Sequence, residues 1–136
     1  MKNFLNISDL SSHELRQIIE EAKIRKSKRK ELNKSAADLD QPFAGKSMIM
    51  IFEKPSTRTR ISFDIAAKQL GGSSIILNPD VIHYGKGDES IKDTAKVLSE
   101  YADIIMMRTS LHKNLVEFAK HSDIPVINGL SEQSHP

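Results

Sequence analysis

The chain has 136 residues, a formal net charge of +2, 38% hydrophobic and 28% charged residues, and no cysteine. That length suits one domain with a real core. The composition excludes disulfides, thiolate metal sites and a cysteine nucleophile, and no apolar run approaches the roughly 20 residues that cross a bilayer.

The near-neutral charge gives no argument for nucleic acid or membrane, and the N-terminus lacks a long apolar signal core. A cytoplasmic protein is expected. With no Trp and two Tyr, the core must be aliphatic, supplemented by five Phe and five Met.

In chain order, residues 8–34 read as a helix. Ser11 and Glu14 have capping-box spacing, and Leu15, Ile18, Ile19 and Ala22 form an apolar stripe. From Lys23 the segment turns basic (Lys23, Arg25, Lys26, Lys28, Arg29, Lys30, Lys34), which reads as a solvated face. A nucleic-acid patch is the lesser reading, because no aromatic residues are interleaved. Residues 35–46 read as a loop. Ser47–Phe52 is a short apolar run fit for a buried strand. Residues 57–70 follow as a helix, with Ile61, Ile65, Ala66 and Leu70 on one stripe, stopped by Gly71-Gly72. A strand over 74–77, a polar glycine-bearing loop over 78–89, and a helix from Ser90 come next. That helix presents Ile91, Ala95, Leu98 and Tyr101. A strand over 103–107, a helix over 111–121 and a strand over 125–128 complete the pattern. The alternation β-α-β-α-β-α-β predicts an α/β fold: a parallel sheet with helices on both faces.

Open parallel sheets bind ligands outside the carboxyl ends of their strands. Ser56-Thr57-Arg58-Thr59-Arg60 follows the first strand, and His83 to Glu89 lie in the loop after the second. Arg108-Thr109 follows the third, and Asn128 to His135 follow the fourth. Hydroxyls, unpaired helix-start N–H groups and a guanidinium fork make the first loop a phosphate cradle. It is neither a Walker A loop nor a Gly-x-Gly-x-x-Gly turn, so a small phosphate compound fits better than a nucleotide. Arg58 is assigned to the ligand and Arg60 to the scaffold, since Asp64 stands at i+4 from Arg60. The plainer alternative is that Ser56 and Thr57 only cap the helix and both arginines are surface residues. Arg108 and His135 carry the same ambiguity between cleft and surface, and Lys86 and Glu89 between lid or intersubunit contact and exposed turn. The histidines and carboxylates form no compact set, so neither metal nor cofactor is expected.

Phe52-Glu53-Lys54-Pro55-Ser56-Thr57-Arg58-Thr59-Arg60 resembles the carbamoyl-phosphate signature of the transcarbamoylases. Glu89 to Ser99, Met106-Met107-Arg108-Thr109 and Asn128-Gly129-Leu130-Ser131 match in the same order, and the variants resemble the ornithine branch more than the aspartate branch. The resemblance implies that residues 1–136 are a carbamoyl-phosphate-binding domain, with a helical segment over 8–34 and an α/β core over 47–136. Ser56, Thr57, Arg58 and Thr59 would hold the phosphate, and Arg108 and His135 the carbamoyl oxygen. The catalytic set would be Arg108, His135 and Arg58. Family members are typically trimers in which a loop of the adjacent subunit completes the site, here about residues 83–89 with His83 and Lys86 as candidates. The implied reaction is carbamoyl transfer to the δ-amine of L-ornithine, giving citrulline and phosphate. The chain departs from the family in stopping at Pro136, two residues before an expected Gln and before the ornithine-binding domain. The 83–89 loop is also about one residue longer than expected. The chain alone is therefore expected to be inactive. Two other functions stay open: transfer to another acceptor (aspartate, putrescine, an acylated ornithine), or a non-catalytic anion-binding module.

Overall fold

The computed structural model describes residues 3–78 and 90–134. Its elements are α1 (Ser12–Lys28), β1 (Ser47–Phe52), α2 (Thr57–Gln69), β2 (Ser73–Leu77), α3 (Ile91–Ser99), β3 (Ile104–Arg108), α4 (His112–His121) and β4 (Val126–Leu130), with a short 3-10 turn at Ile7–Asp9. The four strands form one parallel sheet in the order β2-β1-β3-β4. The chain leaves β1 toward β2 on one side, then returns to β3 on the other. That reversal opens a crevice between the carboxyl ends of β1 and β3, where a doubly wound sheet binds its ligand.

Strand β1 is buried on both faces, and alternation along it divides the core. Ile49 and Ile51 pack with Ala95 of α3 and with Leu115, Phe118 and Ala119 of α4. Met48, Met50 and Phe52 pack with Ala67 of α2 on the opposite face. The expected α/β sheet with helices on both faces is thus present, and each strand and helix boundary falls within about two residues of its expectation, apart from α1.

At α1 the structure corrects the sequence reading. The capping box forms: the Glu14 N–H donates to Ser11 Oγ at 3.2 Å, and the Ser11 N–H donates to Glu14 Oε2 at 2.8 Å. The helix ends at Lys28 instead of continuing to residue 34, and the apolar stripe is not buried, with Ile18 and Ile19 about half exposed. Its basic end is also more than a solvated face. Arg25 pairs with Glu21, Asp38 and Asp40 at 2.9 Å each, and Arg29 pairs with the buried Asp38. These pairs fasten the end of α1 to the following loop, and hydrogen bonding to Arg25 holds the Asp40 carboxyl below its usual range. Tyr101, expected on the apolar stripe of α3, lies past the end of that helix and is mostly exposed.

The N-terminus also has a role that residue patterns did not reveal. The Phe4 N–H donates to the Val126 carbonyl at 2.8 Å and the Asn128 N–H to the Phe4 carbonyl at 2.9 Å, a short parallel bridge beside β4. Gly71 behaves as expected: its φ of +88° ends α2, and a Cβ there would stand 2.7 Å from Cβ of Gln41.

Asp64 of α2 gives a pH prediction. Its carboxylate accepts from Lys68 Nζ at 2.8 Å and from the Ser74 hydroxyl, and the Lys68 bond, then the Ser74 bond, lower its pKa. A depressed folded-state value contributes stability above the ordinary carboxylate pKa, and that contribution is lost as pH falls through the folded value. Between about pH 5 and pH 2 the urea midpoint of wild type should therefore fall more steeply than that of Asp64→Asn. Parallel acid limbs would refute this assignment.

Candidate functional site

The first turn of α2 begins where β1 ends. Ser56 is the N-cap in extended backbone, and its hydroxyl makes no capping bond. The N–H groups of the first turn are therefore left without a side-chain cap, at the positive end of the helix. Arg58 is exposed and forms no ion pair or hydrogen bond with any described residue. Arg60 does not pair with Asp64 as expected, because Lys68 takes that carboxylate. Arg60 instead lines a cleft of about 610 Å³ together with Lys54, Ser56, Thr57 and Asn78. Arg60 and Lys54 thus stand at the mouth of this cleft, which Arg58 does not line, and Arg60 is nearer to a ligand role than its spacing implied.

The decisive contact crosses the crevice. Arg108, the last residue of β3, donates from Nη1 to Thr59 Oγ1 at 3.2 Å. This joins the β1–α2 cradle to the carboxyl end of β3, two loops 49 residues apart in the chain. Arg108 follows the regular alternation of β3, in which Ile105 and Met107 face α3 and α4 while Met106 and Arg108 face α2. The β3–β4 register shifts there, so that Met107 faces Asn128 while Arg108 faces Leu130, leaving Gly129 extra. The extra residue lies on β4, so it is β4 that bends there. Gly129 permits it, because a Cβ at that position would run into Met106 Sδ.

The surrounding loops are held by residues that the sequence reading did not single out. The Ser110 N–H donates to Glu53 Oε2 at 2.7 Å, and the Glu53 N–H donates to the Arg108 carbonyl at 2.9 Å. Glu53 thereby ties the β1 loop to the β3 loop. Leu130 has a φ of +134°, a conformation L side chains rarely adopt. It is held by its N–H to Asn128 Oδ1 at 2.9 Å and by its carbonyl, which accepts from the Thr109 N–H at 3.1 Å. A second hollow of about 150 Å³ lies here, bounded by Lys54, Arg108, Ser110, Leu130, Ser131 and Glu132. Glu53 and Asn128 did stand in the signature segments, but only their spatial partners reveal their work.

Thr59 and Arg108 are thus in contact, Ser56 and Thr57 line the cleft beside Arg60, and Arg58 lines neither hollow. His83, Lys86 and His135 lie outside the described residues. No group of three or more metal-ligating side chains occurs among the described residues.

Residues 2–136 match the family model described as aspartate/ornithine carbamoyltransferase, carbamoyl-P binding domain. The chain belongs to that family. An ornithine carbamoyltransferase of Rhizorhabdus wittichii is 48% identical over 135 residues, covering 99% of this chain and 43% of that protein. The solved ornithine carbamoyltransferase of Pyrococcus furiosus superposes with a TM-score of 0.90 at 41% identity, covering 99% of this chain and 41% of that one. A solved mutant of an N-acetyl-L-ornithine transcarbamylase, complexed with carbamyl phosphate and N-succinyl-L-norvaline, superposes with a TM-score of 0.83 at 32% identity, covering 100% of this chain and 44% of that one. This carbamoyltransferase-family chain therefore spans less than half the length of these relatives.

Proposed function

We propose that this chain is the carbamoyl-phosphate-binding part of an ornithine carbamoyltransferase, and that a second domain supplies the ornithine contacts. The observation that carries the reading is the Arg108–Thr59 contact at the switch point of the sheet. It puts a permanent cation beside a helix N-terminus lined with hydroxyls, which suits a ligand with a phosphate at one end and a carbonyl at the other. In the proposed reaction the neutral δ-amine of ornithine attacks the carbamoyl carbon, the bond to the phosphate oxygen breaks, and phosphate leaves with its electron pair. The amine loses a proton, giving citrulline. Arg108, joined by His135 on family resemblance, donates to the carbonyl oxygen as negative charge develops there. Arg58 and the first turn of α2 take the charge growing on phosphate, with Arg60 and Lys54 at the rim. Holding two bound substrates in line supplies much of the rate, so the 136-residue chain alone should produce almost no citrulline. The cytoplasm, a trimeric assembly completed by residues 83–89, and a place in arginine biosynthesis or catabolism belong to the same proposal. No helix among the described residues is long and apolar enough to cross a membrane.

A second reading is transfer to a different amine acceptor, favoured by the likeness to the N-acetylornithine enzyme. Turnover with a panel of acceptors by the full-length protein separates the two.

Calorimetric titration with carbamoyl phosphate tests the cradle. Arg58→Ala should weaken binding by about tenfold to a hundredfold, the range for losing hydrogen bonds to a charged group. Unchanged affinity in a folded Arg58→Ala variant would remove Arg58 from the site. A matching loss in Arg60→Ala would transfer the role to Arg60.

A further inference from the structure

The first residue of α4, His112, is 8% exposed, and its ring has one described polar partner. His112 Nδ1 lies 2.7 Å from the hydroxyl of Ser131, itself 5% exposed. The buried ring nitrogen needs a partner, and the one it takes lies in the turn after β4. Ser131 follows Leu130, whose positive φ must be sustained from outside. Ser131 also anchors the next turn: its N–H donates to the Ser134 carbonyl at 3.0 Å, and the Ser134 N–H donates back to Ser131 Oγ at 3.4 Å. The His112 N–H reaches Glu132 Oε1 at 3.3 Å, a second tie between α4 and the same turn. Leu130, Ser131 and Glu132 share a hollow with Arg108, whereas His112 does not border it.

We propose that His112 is a positioning residue. It latches the β4 turn to α4 through Ser131, and so holds the wall facing Arg108 in the shape that receives the carbamoyl end of the substrate. This rests on the carbamoyl-phosphate reading above and extends it to a residue that touches no substrate. The latch is poised to matter because the turn carries a strained residue and has few other ties to α4.

The test uses the full-length protein and three variants. His112→Leu keeps bulk and removes the latch, His112→Asn returns an amide near the Nδ1 position, and Ser131→Ala removes the latch from the other side. The expected result is a rise of about tenfold in both KM and Kd for carbamoyl phosphate in His112→Leu, the size of one lost buried hydrogen bond. The acceptor KM should stay unchanged. Asn should restore most of the loss, and Ser131→Ala combined with His112→Leu should add little to either alone, as coupled residues do. If His112→Leu fails to fold, Ser131→Ala alone should show the same shift. The proposal is overturned if carbamoyl-phosphate KM and Kd hold steady while only the thermal midpoint drops, if Asn and Leu are equally impaired, or if the two losses multiply. Wild type that binds carbamoyl phosphate yet transfers nothing would sink the activity reading and leave the Kd series to decide on His112. Wild type that does neither would overturn both.

Discussion

Replacing Arg108 with alanine should lower kcat for carbamoyl transfer in the full-length protein by about a hundredfold to a thousandfold, the usual cost of losing a group aimed at a developing oxyanion. Three features of the fold make Arg108 costly to lose. It stands at the switch point between β1 and β3. The alternation of β3 puts it on the face of the sheet that carries α2. Its Nη1 donates to Thr59 Oγ1, which fixes the guanidinium across the crevice. Arg108→Lys should recover only part of the loss, because a single ammonium cannot serve Thr59 and a carbonyl oxygen as a planar fork does. The measurement is steady-state kinetics with both substrates saturating, alongside thermal unfolding. A kcat within about threefold of wild type in a folded Arg108→Ala protein would be far below the expected effect and would exclude Arg108 from the chemistry.

The second large effect concerns the core that carries this crevice. Phe118→Ala should destabilise by about 3–5 kcal/mol. Phe118 is fully buried on α4 against the face of the sheet formed by Ile49, Ile105, Met107 and Val126. Truncation leaves a void between two rigid layers that cannot collapse onto it. Urea unfolding followed by circular dichroism should show the midpoint shifted by roughly 1–2 M, taking an ordinary slope for a chain of this size. Val116→Ala, two residues away on the exposed side of the same helix, should change stability by no more than about 0.5 kcal/mol. If the two variants unfold together, α4 does not pack on the sheet as described.

Residue order was enough wherever local rules apply. Short apolar runs such as Met48–Phe52 can satisfy their backbone and bury both faces only as interior strands. A helix that starts at Ser56-Thr57 must leave N–H groups unpaired, so the sheet class was legible together with the place where an anion could be received. Even the Ser11–Glu14 cap needed no tertiary information, because its partners are three residues apart.

Folding settled whatever depends on residues distant in the chain. The periodicity of α1 implied a buried stripe at Ile18 and Ile19, yet periodicity states only that a face exists, not that anything covers it. The i+4 spacing of Arg60 and Asp64 was sound geometry, but Lys68 competes for the same carboxylate and takes it. Arg25 and Arg29 read as part of a solvated basic run until the fold brought Asp38 and Asp40 within reach. The Arg108–Thr59, Glu53–Ser110 and His112–Ser131 ties each join segments well separated in the chain. A side chain's chemistry is written at its own position, while a partner across the crevice is set by which strands lie side by side, here in the order β2-β1-β3-β4.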